Sequence, residues 1–150
     1  MTTINDYNGD ITPEILALML AADPDELAVT DYCNQGRIFT INSEDQVVAV
    51  AVVTHHDLEF ELINIAVAEH YQGQGIGKLL VNHAIEFARK SSGESIVVGT
   101  GNSSLQQLGL YQKCGFRLSH VISNYFASYQ PLIVENGIPC LDMIVLKLDF

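Results

Sequence analysis

The sequence predicts an α+β fold in which helices come first, a mostly antiparallel sheet follows with one βαβ passage at its centre, and a hairpin closes the chain. Three observations carry this. The stretch Glu61 to Arg89 reads as an apolar strand, a glycine-bearing turn and a long amphipathic helix. Before it, β-branched runs separated by short polar turns read as a meander of adjacent antiparallel strands. After it, the dipeptide Asn136-Gly137 is a strong hairpin signal and delivers a last strand over Cys140 to Leu148.

Taken in order, Thr12-Pro13 opens the first helix by capping plus proline at the first helical position, and Ile15, Leu16, Leu18, Met19 and Leu20 carry it to about Ala22. Asp23-Pro24 ends it. In Asp25 to Gln35 the apolar Leu27, Val29 and Tyr32 fit a second, short helix, a weaker pattern than the first. Gly36 leads into a strand at Arg37 to Ile41, and the turn Asn42-Ser43-Glu44-Asp45 leads into another at Gln46 to Thr54, marked by Val47, Val48, Val50, Val52 and Val53. His55-His56-Asp57 reads as a polar hairpin turn. As a metal site it fails, because neighbours on an extended chain point to opposite faces and no second cluster completes a coordination set. In the strand Leu58 to Ala68, Glu59 and Glu61 alternate with Leu58, Phe60 and Leu62, so the two carboxylates share a face that looks to solvent or to a site.

The following helix presents Ile76, Leu79, Leu80, Ala84, Phe87 and Ala88 at helical spacing, with Arg89 and Lys90 at its negative end. Ser95 to Gly99 is a short strand. Thr100 to Ser104 is a loop and helix cap, and Leu105 and Leu108 continue as a helix that Gly115 ends. Phe116 to Tyr129 reads as a long strand with a loop around Gln130-Pro131.

With 150 residues, 48% hydrophobic and 17% charged, the chain is expected to form one domain over residues 1–150 with a core of its own. Its N-terminus is polar and acidic where a secretion signal would be basic and then apolar, and no apolar run approaches bilayer length, so a cytoplasmic protein is expected. Cys33, Cys114 and Cys140 are odd in number and widely spaced, the pattern of free buried thiols. The net charge of −11, from 18 acids against 7 bases, argues against a nucleic-acid partner and against anionic membrane surfaces.

The chemistry is expected in the turn. In Gln72-Gly73-Gln74-Gly75-Ile76-Gly77 three residues of six lack a Cβ, so successive amides can point at one spot and approach it closely, at a helix N-terminus where a phosphate is the usual guest. The spacing GxGxG does not match the dinucleotide fingerprint GxGxxG. Lys78 is followed by Leu79, which fails the phosphate-loop pattern as well. The turn does satisfy Q/R-x-x-G-x-G/A through Gln72, Gly75 and Gly77, directly after the strand residues Ile63 to Ala68. A second stretch, Leu110-Tyr111-Gln112-Lys113-Cys114-Gly115-Phe116-Arg117, carries LY-x-x-x-GF. Together the two motifs resemble those of the GNAT superfamily of acyl-CoA-dependent N-acyltransferases.

That resemblance implies a twisted, three-layer α/β arrangement of GNAT type. The strand of Ile65 and Val67 and the strand of Ile96 to Val98 would run parallel and splay apart, with helices on both faces. Pantetheine would enter the wedge and bond to backbone at Ile65, Ala66 and Val67 as an added strand. Gln72, Gly73, Gln74, Gly75, Ile76, Gly77 and Lys78 would form the pyrophosphate-binding segment. The implied cosubstrate is acetyl-CoA with no metal, and the implied reaction is acetyl transfer to an amine by direct attack. A non-catalytic acyl-CoA-binding sensor is the alternative. A backbone N–H near Val67 would polarise the thioester carbonyl.

Tyr111 matches the tyrosine near the CoA sulfur and is the candidate acid, with a packed tyrosine as the competing reading. Glu61 stands eleven residues before Gln72, where the histone-modifying branch carries its catalytic glutamate, and is the candidate base. Glu59 or a water chain competes with it. Asn102 resembles an asparagine that contacts CoA, at a longer spacing than usual, and competes with Ser103 and Ser104 for a helix cap. Cys114 lacks an adjacent histidine and His83 lies on an apolar helix face, so both read as packing residues. The acceptor is expected to be a small-molecule or peptide amine. Asp57, Glu59, Glu61 and Asp23, Asp25, Glu26, Asp31 suggest that it is cationic. The apolar stretch Phe126 to Val134 is a candidate homodimer contact.

Overall fold

The computed structural model describes residues 2–150 and is built around one seven-stranded mixed sheet. The chain begins with a strand, not a helix: β1 (Ile4–Tyr7) pairs antiparallel with β2 (Arg37–Ser43) at the sheet edge. Four residues with an apolar one only at either end carry too little alternation to read from sequence, and the strand is held by its partner and by the exposed Arg37–Asp6 ion pair.

Two helices follow, α1 (Pro13–Ala22) and α2 (Glu26–Gln35). Thr12 caps the first, its side chain accepting from the Ile15 amide, and Asp25 caps the second by accepting from Ala28. Both expected helices are thus present, and the second is as long as the first.

β2, β3 (Gln46–His56) and β4 (Glu59–Val67) form the antiparallel meander. The β2–β3 turn contracts to Glu44 and Asp45, both at positive φ, so β2 continues through Asn42 and Ser43. The histidine pair belongs to β3 and not to a turn. His55 stacks on Phe60 with ring centroids 5.1 Å apart, and the chain reverses at Asp57.

A short 3₁₀ turn (Glu69–Tyr71) and the glycines lead to α3 (Ile76–Lys90), then β5 (Ser95–Gly101), α4 (Leu105–Lys113) and β6 (Arg117–Ile122). The strand expected to end at Gly99 runs two residues further. The long strand expected over Phe116 to Tyr129 is only β6, because residues 123–128 turn back on themselves, with the Asn124 amide donating to Asp142. Asn136-Gly137 forms its expected two-residue hairpin, both residues at positive φ, but as a separate ribbon of β7 (Val134–Glu135) and β8 (Ile138–Pro139). Three further residues precede the last strand, β9 (Met143–Asp149), which inserts between β5 and β6.

The sheet order is β1-β2-β3-β4-β5-β9-β6. On one face α1 and α2 pack Ile15, Met19, Val29 and Tyr32 against Ile38, Val50 and Val52. On the other, Leu80, Val81, Ala84, Ile85 and Ala88 of α3, with Tyr111 of α4, pack against Ala51, Val53, Phe60, Leu62, Ile96, Val98 and Leu146. Leu79, expected on the buried stripe of α3, is 44% exposed. Val81 and Ile85 take the buried positions instead. Burying both faces of the central strands of one sheet is what this apolar content makes possible.

Candidate active site

The site is prepared by a defect in β4. β3 and β4 pair in register until Val53 meets Leu62 and Val52 meets Asn64, so Ile63 is an extra residue. Such a bulge shifts the alternation by one. Phe60 and Leu62 before it, and Ile65 and Val67 after it, all touch the α3 side, whereas Ile63, Asn64 and Ala66 touch the α1–α2 side. Glu59 and Glu61, alternating with Phe60 and Leu62, also face the α1–α2 side.

The same place is where β4 parts from β5. Their parallel pairing covers Glu59 to Leu62 against Ser95 to Val98 and then stops, although β4 continues to Val67 and β5 to Gly101. The two strands therefore frame a wedge with an unpaired β4 edge. The Ala68 amide donates to Val48 of β3, and amides alternate along a strand, so that of Val67 turns the other way, toward the wedge. The Val67 carbonyl is held by the Gln72 side chain at 2.9 Å, which braces the strand end against the turn.

At the mouth of the wedge stands the glycine turn. Gly73 and Gly75 take φ of +76° and +85°, where only glycine is unstrained, and Gly75 serves as the N-cap of α3 without a side chain. The first backbone bond of the helix runs from Leu79 to Gly75. The amides of Ile76, Gly77 and Lys78 thus keep free donors, together with the positive end of a 15-residue helix. Gly77 has an ordinary backbone. A Cβ there would stand 3.7 Å from Leu110 and 4.0 Å from Val67, projecting between the two chain segments that border the wedge. A cleft of about 370 Å³, bordered by Asn5, Ser43, Tyr71, Gln74 and Ile76, adjoins the turn on its β1–β3 side.

Tyr111, the candidate acid, belongs to α4. It is 3% exposed and packs edge-on against Phe116 at 5.9 Å. Burial raises its pKa far above the usual phenol value, with Cys114 adding in the same direction, so the hydroxyl stays protonated. Glu61 is half-buried on the opposite face, one residue before the last β4–β5 pair. Burial, then the neighbouring Glu59, raise its pKa above the ordinary carboxylate range. Tyr111 and Glu61 thus lie on opposite faces of the sheet, Glu61 beside the last β4–β5 pair and Tyr111 in the α3-side core.

Asn102 has a structural use that the sequence did not show. Its Oδ1 accepts from the Leu141 and Asp142 amides at 2.9 and 3.0 Å, and its Nδ2 donates to Pro139 O, tying the end of β5 to the approach to β9. It does not cap α4. Ser104 holds the N-cap position, but without a side-chain capping bond, since Ser103 and Ser104 both donate to Glu135 in the β7–β8 ribbon. Burial raises the Cys114 thiol and lowers His83, which lies edge-on to Phe39, as packing residues would show. Among the described residues no three His, Cys, Asp or Glu side chains converge as a metal site would require.

Sequence reasoning missed a buried polar cluster. Asn64, 4% exposed at the bulge, donates through Nδ2 to Met19 O (3.1 Å) and to the Tyr32 hydroxyl (2.8 Å). That hydroxyl in turn donates to Asp23 Oδ2 (3.1 Å). The one available signal was an asparagine interrupting the apolar run Leu62 to Val67. Asp23 and Asp25 also raise the Tyr129 phenol, after burial, which places the 123–129 turn beside the α1–α2 corner.

A wedge beside a bulged strand, closed at its mouth by bare helix amides, is a frame for a pantetheine thioester, and the family model for the acetyltransferase (GNAT) family matches residues 11–116. The chain belongs to that family. It is 44% identical over 138 residues to the uncharacterized N-acetyltransferase YvbK of Bacillus subtilis, covering 91% of this chain and 89% of the relative. A Bacillus subtilis acetyltransferase solved in complex with CoA superposes with a TM-score of 0.94 at 40% identity, over 100% of this chain and 99% of that one. A GNAT acetyltransferase of Elizabethkingia anophelis with acetyl-CoA bound gives 0.92 at 38% identity, over 99% and 98%. The protein is an acyl-CoA-dependent N-acetyltransferase with acetyl-CoA as its cosubstrate and an amine as its acceptor. Among the described residues no helix is long and apolar enough to cross a membrane.

Proposed function

We propose that this GNAT enzyme transfers acetyl directly from acetyl-CoA to a primary amine in a ternary complex, the amine approaching from the α1–α2 face and the thiol leaving toward α4. The observation that supports the proposal is that Glu61 stands one residue before the last β4–β5 pair while Tyr111 packs on the other face of the sheet. Direct attack requires a proton to leave the ammonium on one side and a proton or hydrogen bond to reach the departing sulfur on the other. A carboxylate raised by burial is a better base than an exposed one, and Glu61 fills that role. Glu59, on the same strand, is exposed. Tyr111, held protonated, supplies the acid.

In this reading, backbone groups of Ile65, Ala66 and Val67 bind pantetheine along the open β4 edge, and the amides from Gln72 to Lys78 bind the pyrophosphate. Asn102 contributes by shaping the loop that follows β5. Cys114 forms no acyl-enzyme, because burial holds its thiol protonated. The acceptor is cationic. Asp23 and Asp25 at the α1–α2 corner and Glu59 and Glu61 on β4 give this side a negative potential, in a chain of net charge −11.

The test is thiol release from acetyl-CoA across polyamines, aminoglycosides, lysine-ending peptides and neutral or acidic amines, with both substrates varied. Intersecting initial-velocity lines and a kcat/KM for cationic acceptors that falls with salt are expected. Parallel lines, or a labelled acetyl group trapped on Cys114, overturn direct transfer. A preference for acidic amines overturns the charge assignment.

A further inference from the structure

The sheet ends in two edges, and only one of them is defended. β1 closes one side with four residues, among them Asn5 and Asp6, and Asp6 pairs with Arg37. Short length and charge on an edge discourage another chain from adding a strand there. β6 closes the other side with six residues, all exposed, and among the described residues no strand pairs with its outer edge. Leu118 and Val121 in it are 61% and 54% exposed, and Ile122 and Tyr125 continue the apolar surface. The charge here also differs from that of the remaining chain. None of the 18 acids lies between Glu94 and Glu135, whereas Lys113 and Arg117 do. In a chain of net charge −11 this is therefore the edge at which a second copy meets least repulsion.

A bulge in β6 says which chain fits the edge. Leu118 pairs with Leu146 and His120 with Val145, so Ser119 is an extra residue and the alternation shifts by one across it. Leu118 and Val121, three residues apart, therefore share the face of their partners Leu146 and Ile144, which pack with the α3-side core. Arg117 and Ile122 share the opposite face, beside Lys147 and Met143. When the strand is laid antiparallel on its own copy about a twofold axis, one face-matched register pairs all six residues. It sets Leu118 against Val121 and Arg117 against Ile122, and each pair occurs twice. An unbulged strand would put residues 118 and 121 on opposite faces and forbid that register. No like charges meet in it, because the two Arg117 side chains stand at opposite ends. We infer that β6 is the seam of a homodimer, in which two seven-stranded sheets join edge to edge and Leu118 meets Val121 of the second copy. The outer N–H and C=O groups of the two strands satisfy each other, as in strand addition. The seam lies before Phe126 to Val134, the stretch that the sequence offers as a dimer contact.

Sedimentation velocity of the full chain over a range of concentrations tests this. A dimer that dissociates on dilution is expected for the wild type. Leu118→Lys or Val121→Glu should raise its dissociation constant by about 10-fold or more, because each sets a charge against an apolar partner and does so twice by symmetry. Mixing the two variants tests the register. The introduced lysine of one copy then meets the introduced glutamate of the other, and the second Leu118–Val121 pair is kept, so the mixture should associate more tightly than either variant alone. Asn5→Lys, on the opposite edge, should leave the dimer as it is. Calorimetric CoA affinity should be unchanged in each variant, since neither edge supplies the amides of the glycine turn, and this shows that the variants are folded. A wild type that is monomeric at every concentration, a dimer untouched by Leu118→Lys and Val121→Glu, a mixture no tighter than its parts, or a dimer lost in Asn5→Lys overturns the inference. Should one of the β6 variants fail to fold, the shift in the other decides.

Discussion

The β4–α3 passage and the segment from β6 to β9 are of similar length and make unequal use of local rules. In the first, each feature follows from its own residues: an apolar strand, glycines at φ +76° and +85°, a helix whose free amides come from the lack of a capping side chain. In the second, Asn102, Ser103 and Ser104 of the β5–α4 loop bond to Leu141, Asp142, Pro139 and Glu135, some 30 to 40 residues away. The glycine turn is thus built from backbone geometry and the β6–β9 segment from long-range side-chain bonds. Backbone geometry suits a cosubstrate shared across a family, whereas side-chain ties can be altered one at a time to suit different acceptors.

The contrast breaks first, and by the largest amount, at the chemistry. Tyr111→Phe should lower kcat by about 10²-fold with CoA affinity unchanged, since a general acid acts in the transition state. Melting should barely move, because the ring and its contact with Phe116 remain. Stopped-flow thiol release reads the rate and calorimetry the affinity. A kcat near wild type would return Tyr111 to packing.

Next in size is the anion site. Gly75→Val places a branched residue at φ +85° over the amides and should weaken CoA binding by about 1–3 kcal/mol, the cost of unmade polar contacts. Gly77→Ala separates space from strain, since its backbone is ordinary and its Cβ would enter only the gap between Leu110 and Val67. A weaker CoA complex without a lower melting temperature is expected there. If CoA affinity is unchanged in both variants, the amides of this turn do not hold the cosubstrate.

The same division explains what could be read from the chain beforehand. The glycine turn, α3 and the parallel β4–β5 passage were legible because period and turn chemistry are local. β1 was not, since four edge residues acquire their role only from β2. Residues 123–129 read as strand because their apolar side chains carry no sign of the Asp142 bond that turns them. The resemblance implies a bulged strand end, but its position at Ile63 was not legible in the residues. A one-residue phase change is masked when both faces of a strand are apolar, as they are from Leu62 to Val67 apart from Asn64. Glu61 could be nominated from its spacing, but its face and desolvation needed the packed sheet.

In the β6–β9 segment a side-chain tie can be cut directly. Asn102→Ala removes three hydrogen bonds at once and should destabilise the chain by about 1–3 kcal/mol, lowering the melting temperature by several degrees. Because α3 and its turn make none of these bonds, CoA affinity should fall less than in Gly75→Val. An equal loss of CoA affinity would show that Asn102 belongs to the cofactor side after all, and the boundary between the two regions would move to include the end of β5.

The smallest effect is thermal and concerns Glu61. Its folded pKa is raised above the unfolded value, so in the window between the two the native state binds more protons than the unfolded one, and stability falls as pH rises through it. Below the ordinary carboxylate range both states are protonated and the penalty is absent. Glu61→Gln keeps the shape and removes the charge. Its melting temperature should therefore exceed that of the wild type at neutral pH, by a margin that closes as pH falls below the usual carboxylate range, while acetyl transfer drops if this group is the base. Part of the gain at neutral pH comes from relieving the repulsion with Glu59, so Glu59→Gln should recover only that part. A variant that is both more stable and less active identifies a carboxylate kept at a cost to the fold, as a functional group in a desolvated site is. Equal melting temperatures at every pH, with full activity, would make Glu61 an ordinary strand residue and leave deprotonation to water.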